Sequence, residues 1–398
     1  MRSRLVLAGA MVAFLAALAA SSTQMVGAQA RPPGPEALLE ARQALGRLLF
    51  WDPILSGDRD VACATCHHPD FAYTDGRELS LGTGAVGLGP ARVDRSGGRI
   101  PVVRRNSPTI LNTAFNGLDD RRRGRGRRRG TAFDGTPASV DQARAPMFWD
   151  RRARSLEAQA LEPIKALEEM RGTAYAEDEA LDAVMARLVA TPDYVRLFAA
   201  AFGEGTPIDA ARLGEAMAAF ERTLIAMNSP FDRFQAGDRT ALTPQQQRGL
   251  EAFEDADCDD CHDGPMFSDF DLHAEGVAEH AALAEPDSGG GRFRFRTPTL
   301  RNVALTAPYM HNGTLATLED VLRFYDEGRS RNANVSAGRR ANGAARLDRD
   351  FRRVADMTDE EMRDIIAFLE ALTDSDFDRS VPERVPSGLP PGGRIAGR

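Results

Sequence analysis

Every cysteine of this 398-residue chain, four in all, falls in a five-residue pattern that occurs twice. Cys63-Ala64-Thr65-Cys66-His67 and Cys258-Asp259-Asp260-Cys261-His262 both read C-x-x-C-H. The chemistry that uses this spacing is c-type haem attachment. Two thiols form thioethers to the vinyl groups of one porphyrin, and the adjacent imidazole supplies a nitrogen to its iron. Paired C-x-x-C can instead hold zinc. A His after each second cysteine, and the long stretch between the copies, favour two separate haems over one zinc site.

Compartment and charge fit that reading. Met1-Arg2-Ser3-Arg4 is followed by an uncharged apolar run from Leu5 to Ala20 and then by Ala28-Gln29-Ala30. This is the layout of a cleaved signal peptide over residues 1–30, too short for a comfortable membrane span. A soluble, exported protein is expected, with no stable membrane anchor, and haem attachment outside the cytoplasm fits a periplasm. The formal charge is −8, which disfavours nucleic acid as a partner.

The elements that must position these groups are mostly α-helical. The spacing predicts a helix over Ala37 to Phe50, with Leu38, Leu39, Ala44, Leu45, Leu48 and Leu49 on its apolar side. Residues 82–99 are Gly-rich and read as a loop over the first haem. Leu213, Met217, Phe220 and Leu224 recur at helical spacing, and that helix should end before Pro230. Thr243–Gln246 and Thr358–Glu361 are capping boxes; the second starts a helix burying Met362, Ile365, Ile366 and Leu369. Arg292–Arg296 alternates with Phe and allows a short edge strand. Residues 38–235 and 236–380 are expected to form one haem domain each, with a linker near 228–243 and a flexible tail over 381–398. No repeat beyond the two haem motifs is apparent. Seven Arg in the nine residues from Arg121 to Arg129 read as an exposed insertion.

In combination, several segments resemble the bacterial di-haem cytochrome c peroxidases. They are Leu45-Gly46-Arg47-Leu48-Leu49-Phe50 with Leu55-Ser56-Gly57, Phe71 to Arg77, Arg105-Asn106-Ser107-Pro108-Thr109, Phe148-Trp149-Asp150, Asn228-Ser229-Pro230-Phe231-Asp232, and Arg301 to His311. The resemblance covers most of the mature chain. It implies two cytochrome-c-like helical domains, few short strands, and two covalently attached c-type haems. The implied reaction is reduction of hydrogen peroxide to two waters with two electrons and two protons. Peroxide would bind the first haem (His67), and the second (His262) would relay electrons from a donor. The family forms dimers in many cases, so monomer or homodimer is expected.

The resemblance also assigns roles. Many members carry a distal His at the first haem; here the matching position is Gly98, and no His lies between His68 and His262. The first haem is therefore expected to be five-coordinate at rest unless His68, His273 or His280 folds over it. By motif match, Gln159 and Glu169 fall on the family's distal Gln and Glu. An apolar pocket would raise the Glu169 pKa toward a value suited to shuttling a proton. From the residues alone, Glu169 is one helical Glu among several. Trp149 is implied as an electron relay between the haems; by itself it reads as a core aromatic. The Asn106 side chain and the carbonyls of Thr306 and Pro308 match a calcium site, and oxygen ligands suit that ion. At the second haem, Tyr325 falls where classical members use Met. A Tyr ligand resembles the methylamine-utilisation (MauG-type) branch, which oxidises tryptophans on a partner protein. Met310, Met357 and Met362 are the alternatives, each also a core candidate, and His311 is another haem neighbour.

Nine acids and no Lys or Arg lie between Glu251 and Asp271. This field would steer a small basic donor such as a cytochrome c, or it is simply a solvated loop. The leading reading is a periplasmic di-haem peroxidase. A MauG-type oxidase acting on a partner protein comes next, and a non-catalytic di-haem electron carrier third.

Overall fold

The computed structural model describes residues 34–118, 142–336, 345–352, 354 and 356–395. The expected signal peptide and the Arg-rich segment lie outside these residues. The described chain is mostly helix and loop. Its sheets are three two-stranded pairs with two residues per strand, among them Leu272–His273 against Phe295–Arg296. Among the described residues no helix is long and apolar enough to cross a membrane.

The helices start where local chemistry dictates. Ser229, Thr243, Thr317 and Thr358 each accept a hydrogen bond from the amide three residues on. The residue at that position, Asp232, Gln246, Asp320 or Glu361, bonds back to the cap amide. Two otherwise unpaired backbone donors are satisfied at each helix start. The first helix runs Pro35–Trp51 with Pro at its start. Its buried side is Leu45, Gly46, Leu49, Phe50 and Trp51; Leu39 and Ala44, expected on that side, are exposed. The helix carrying Leu213, Met217 and Phe220 spans Ala210–Glu221, and Leu224 is buried just beyond it. The segment expected as a linker contains the helix Pro230–Gln235, whose Phe231 packs against Phe267 and Phe368.

Two helix crossings repeat one another, a repeat the sequence reading missed. Pro35–Trp51 packs on Ala210–Glu221, and a Cβ added to Gly46 would lie 1.9 Å from the Ala216 carbonyl oxygen. Pro244–Asp255 packs on Asp359–Glu370, and a Cβ added to Gly249 would lie 1.9 Å from the Asp364 carbonyl oxygen. Four residues past each glycine is a Phe that meets another Phe. Phe50 sits 5.2 Å from Phe220, and Phe253 sits 5.5 Å from Phe368. Each crossing therefore uses G-x-x-x-F on one helix, and each crossing helix leads toward one C-x-x-C-H. The signal was in the sequence, but two matched positions per helix are too few to be read without the contacts.

The expected free tail is a correction. Residues 381–395 return to the first haem motif, with Val385 buried. Ser387 Oγ donates to Asp52 Oδ1 at 2.6 Å, the Gly392 amide donates to the Trp51 carbonyl, and Thr65 Oγ1 donates to the Gly392 carbonyl at 2.9 Å. Phe377 and Val385 join the same hydrophobic cluster as Leu45 and Phe220. Its anchors are backbone groups, Thr65 and buried Asp52, far away in the chain, which the segment's own residues do not reveal.

Candidate active site

Each C-x-x-C-H begins in a single helical turn, Cys63–Cys66 and Cys258–Asp260. The turn ends at His67 in the first motif and at Cys261, just before His262, in the second, and each His ring is then fixed by a main-chain carbonyl. His67 Nδ1 donates to Tyr73 O at 3.0 Å, and His262 Nδ1 donates to Phe267 O at 2.9 Å. Both bonds put the proton on Nδ1 and leave Nε2 as the basic nitrogen, the usual arrangement behind a metal-binding imidazole. Burial lowers the pKa of both rings, so they stay neutral. Burial, with Asp75 beside Cys66 and Asp259 beside Cys258, pushes those two thiols up to about 12.

Each His lines a cavity. The first, of about 1810 Å³ including its mouth, holds Cys66 and His67; the second, of about 1390 Å³, holds Cys258, Cys261 and His262. The two motifs line separate cavities, so their cysteines do not come together as one four-sulfur zinc site. The described residues thus fit two haem sites: a carbonyl-locked imidazole, two adjacent sulfurs and a large apolar-walled space at each. Trp149, Arg296, Pro298, Val303, Tyr309 and Met310 line both cavities, so the two share a wall.

Glu169 and Gln159 both line the first cavity, with Pro163 and Glu168. Glu169 sits on a one-turn π-helix, Leu167–Arg171, a form that is rare outside functional sites. Loss of water raises its pKa to about 7, with Glu168 adding to the rise and Arg152 opposing it. The Gly-rich loop presses on this turn. Thr83 N donates to Glu169 O at 2.8 Å, and a Cβ on Gly82 would lie 2.2 Å from both the Glu168 and Glu169 carbonyl oxygens. Gly98 is exposed and does not line the cavity.

The other histidines do not reach the first cavity. His68 is buried edge-on against Trp51, and its Nδ1 accepts from the Asp70 amide. His280 bonds Glu78. His273 lies in the second cavity, its two ring nitrogens 3.0 Å from Asp269 and Asp348. Both nitrogens donate, so the two carboxylates hold the ring as imidazolium and raise its pKa despite burial. That cluster, and Glu275 beside it, were not found from sequence. The signal for them is the buried charge, which only the folded chain shows.

Trp149 is 9 % exposed and donates Nε1–H to Asn106 O at 2.9 Å. Asn106, Thr306 and Pro308 all line the first cavity. Asn106 Nδ2 donates to Arg77 O, and no described group donates to Asn106 Oδ1 or to the Thr306 and Pro308 carbonyls. In the second cavity Tyr325, on the helix Leu318–Asp326, donates to Glu275 Oε1 at 2.9 Å. Burial and that carboxyl raise the Tyr325 pKa well above its ordinary value. Met310 and His311 line the same cavity, whereas Met357 and Met362 pack in the hydrophobic core. His311 stacks on Phe295 at 3.5 Å.

A family model described as di-haem cytochrome c peroxidase matches residues 40–240. The methylamine utilization protein MauG of Methylorubrum extorquens is 34 % identical over 348 residues, covering 85 % of this chain and 81 % of that protein. The cytochrome c551 peroxidase of Pseudomonas aeruginosa is 32 % identical over 295 residues, 71 % of each chain. Among solved structures, a MauG-like protein associated with microbial copper homeostasis superposes with a TM-score of 0.62 at 29 % identity, over 84 % of this chain and 90 % of that one. With two cavities built on C-x-x-C-H motifs and relatives matched over most of the chain, this protein belongs to the di-haem cytochrome c peroxidase family, whose members include MauG.

Proposed function

We propose that this protein is an exported di-haem peroxidase, with a haem attached covalently to Cys63 and Cys66 and another to Cys258 and Cys261. It reduces hydrogen peroxide to two waters with two protons and two electrons from a small redox protein. The observation that carries this reading is Glu169 in the first cavity, where the one histidine, His67, is committed to the iron and cannot move a proton. The first haem supplies an iron position for peroxide and the redox chemistry. Glu169 takes a proton from one peroxide oxygen and returns it to the other, and a carboxyl near 7 is matched to both halves of that task. Gln159, on the same cavity wall, would orient peroxide against Glu169. Trp149, in the wall between the cavities, carries electrons from the second site to the first. A calcium ion held by Asn106, Thr306 and Pro308 would stiffen that wall. The N-terminal leader sends the chain to the periplasm.

A MauG-type oxidase acting on a partner protein is favoured by a different observation. Tyr325, not Met, is brought into the second cavity from the helix Leu318–Asp326. A phenolate ligand holds a haem in its ferric form and would make it a poor acceptor from an ordinary donor.

One experiment separates the readings. The purified protein is mixed with peroxide, with and without a reduced basic cytochrome c, and haem and donor spectra are followed. Many donor turnovers per chain establish the peroxidase. A long-lived oxidised spectrum with few donor turnovers supports the oxidase, and no haem response leaves an electron carrier. Glu251, Asp255 and Asp260 are exposed beside the second motif, so a steered donor should react more slowly as salt rises. A rate indifferent to salt would count against steering.

A further inference from the structure

Arg296 is buried to 7 % exposure, lines both cavities, and has no carboxylate partner among the described residues. Its Nε donates to the Phe148 carbonyl at 3.1 Å, and its amide donates to the Trp149 carbonyl at 2.7 Å. Its guanidinium also lies 5.9 Å over the Phe270 ring. Arg105, half-buried in the first cavity, is by contrast neutralised: it binds Asp287 through two nitrogens and Asp150 through a third. Arg152 pairs with Asp150, and Arg104 is exposed.

An unpaired guanidinium in such a place is costly, because burial strips its water and supplies no anion in return. Desolvation and nearby Arg151 lower its pKa only to about 10, so the charge is retained at neutral pH. With Nε committed to Phe148, four N–H donors remain on Nη1 and Nη2, enough for a carboxylate on either side. We propose that Arg296 is the shared anion anchor of the two cavities, its guanidinium taking a propionate carboxylate from the haem in each. One cation then binds both cofactors, and the segment that holds it, Phe148-Trp149, is the one that places Trp149 between them. The proposal rests on the two-haem reading. It adds a specific electrostatic link, in which each haem's charge is felt at the other through one side chain.

The test uses the full-length holoprotein. The haem content of Arg296→Gln is first counted from its alkaline pyridine spectrum, which checks the two-haem reading separately. Both midpoint potentials are then measured by spectroelectrochemical titration. Losing a cation that touches both propionates favours each ferric form, so both potentials should fall, and Arg296→Lys, which keeps the charge, should restore both. A shift at one haem only, or at neither, in protein that retains two haems would overturn the proposal. So would a failure of Lys to restore either potential. Should the Gln variant not fold, Arg296→Lys still decides through resonance Raman. Replacing a planar fork by a point charge should move the propionate bending band of both haems, and unmoved bands would overturn the proposal.

Discussion

The amide of Thr83 donates a hydrogen bond of 2.8 Å to the carbonyl of Glu169, tying the Gly-rich loop to the π-turn that carries this half-buried acid. Gly82, one residue earlier, leaves no room for a side chain against that turn.

Gly82→Ala should therefore act on Glu169 at a distance. The added methyl must push the turn away, and a displacement near 1 Å at a reacting group can cost about 100-fold in rate. Peroxide turnover should fall by up to that factor while both haem spectra at rest are retained. Turnover equal to wild type would show that the turn yields without moving its carboxyl.

The raised pKa of Glu169 sets the direction of a pH profile. Its carboxyl holds a proton up to about pH 7, well above an ordinary Glu, so the base form needed to take a proton from peroxide grows as pH rises through 7. The rate of reaction with peroxide should rise over that range. Glu169→Gln should lower the rate by roughly 10²–10⁴ and flatten this limb. A limb that survives the substitution belongs to another group.

Tyr325→Phe should change the spectrum of the second haem only. If the second iron draws Tyr325 off Glu275 as a phenolate ligand, its removal should also raise that haem's potential. The same variant leaves Glu275 without its 2.9 Å hydrogen-bond donor. A spectrum identical to wild type would shift the ligand assignment to Met310.

The paired glycine crossings predict matched losses of stability. Gly46→Ala and Gly249→Ala each place a methyl 1.9 Å from a carbonyl oxygen of the facing helix, where backbone must move. Each should destabilise by about 1–3 kcal/mol, measured by denaturant unfolding. A neutral effect at either would mean that the crossing is looser than these contacts require.

Truncation after Ser380 should weaken the first haem site and spare the second. It removes one hydrogen-bond partner each of Asp52, Trp51 and Thr65, and Thr65 lies inside the first motif. The iron coordination at the first haem should break down at lower denaturant, read from its absorbance, while that at the second should be unaffected. Equal resistance of both haems would show that the strap is dispensable.

The sequence by itself pointed to the cofactor chemistry, because C-x-x-C-H puts two sulfurs and an imidazole within five consecutive residues and needs no distant residue. It also determined the helix starts, because a capping box is complete within four residues, and it placed Glu169, Gln159 and Tyr325 through segments that resemble one family. Tertiary structure decided what depends on residues far apart in the chain. It put His273 between two carboxylates in the second cavity, turned the final segment into a strap, and brought Gly82 against the π-turn. It also left Arg296 buried, unpaired and facing both cavities. Nothing local in Phe295-Arg296-Thr297 announces this, since whether a charge is paired and whether water can reach it are properties of the packed chain alone.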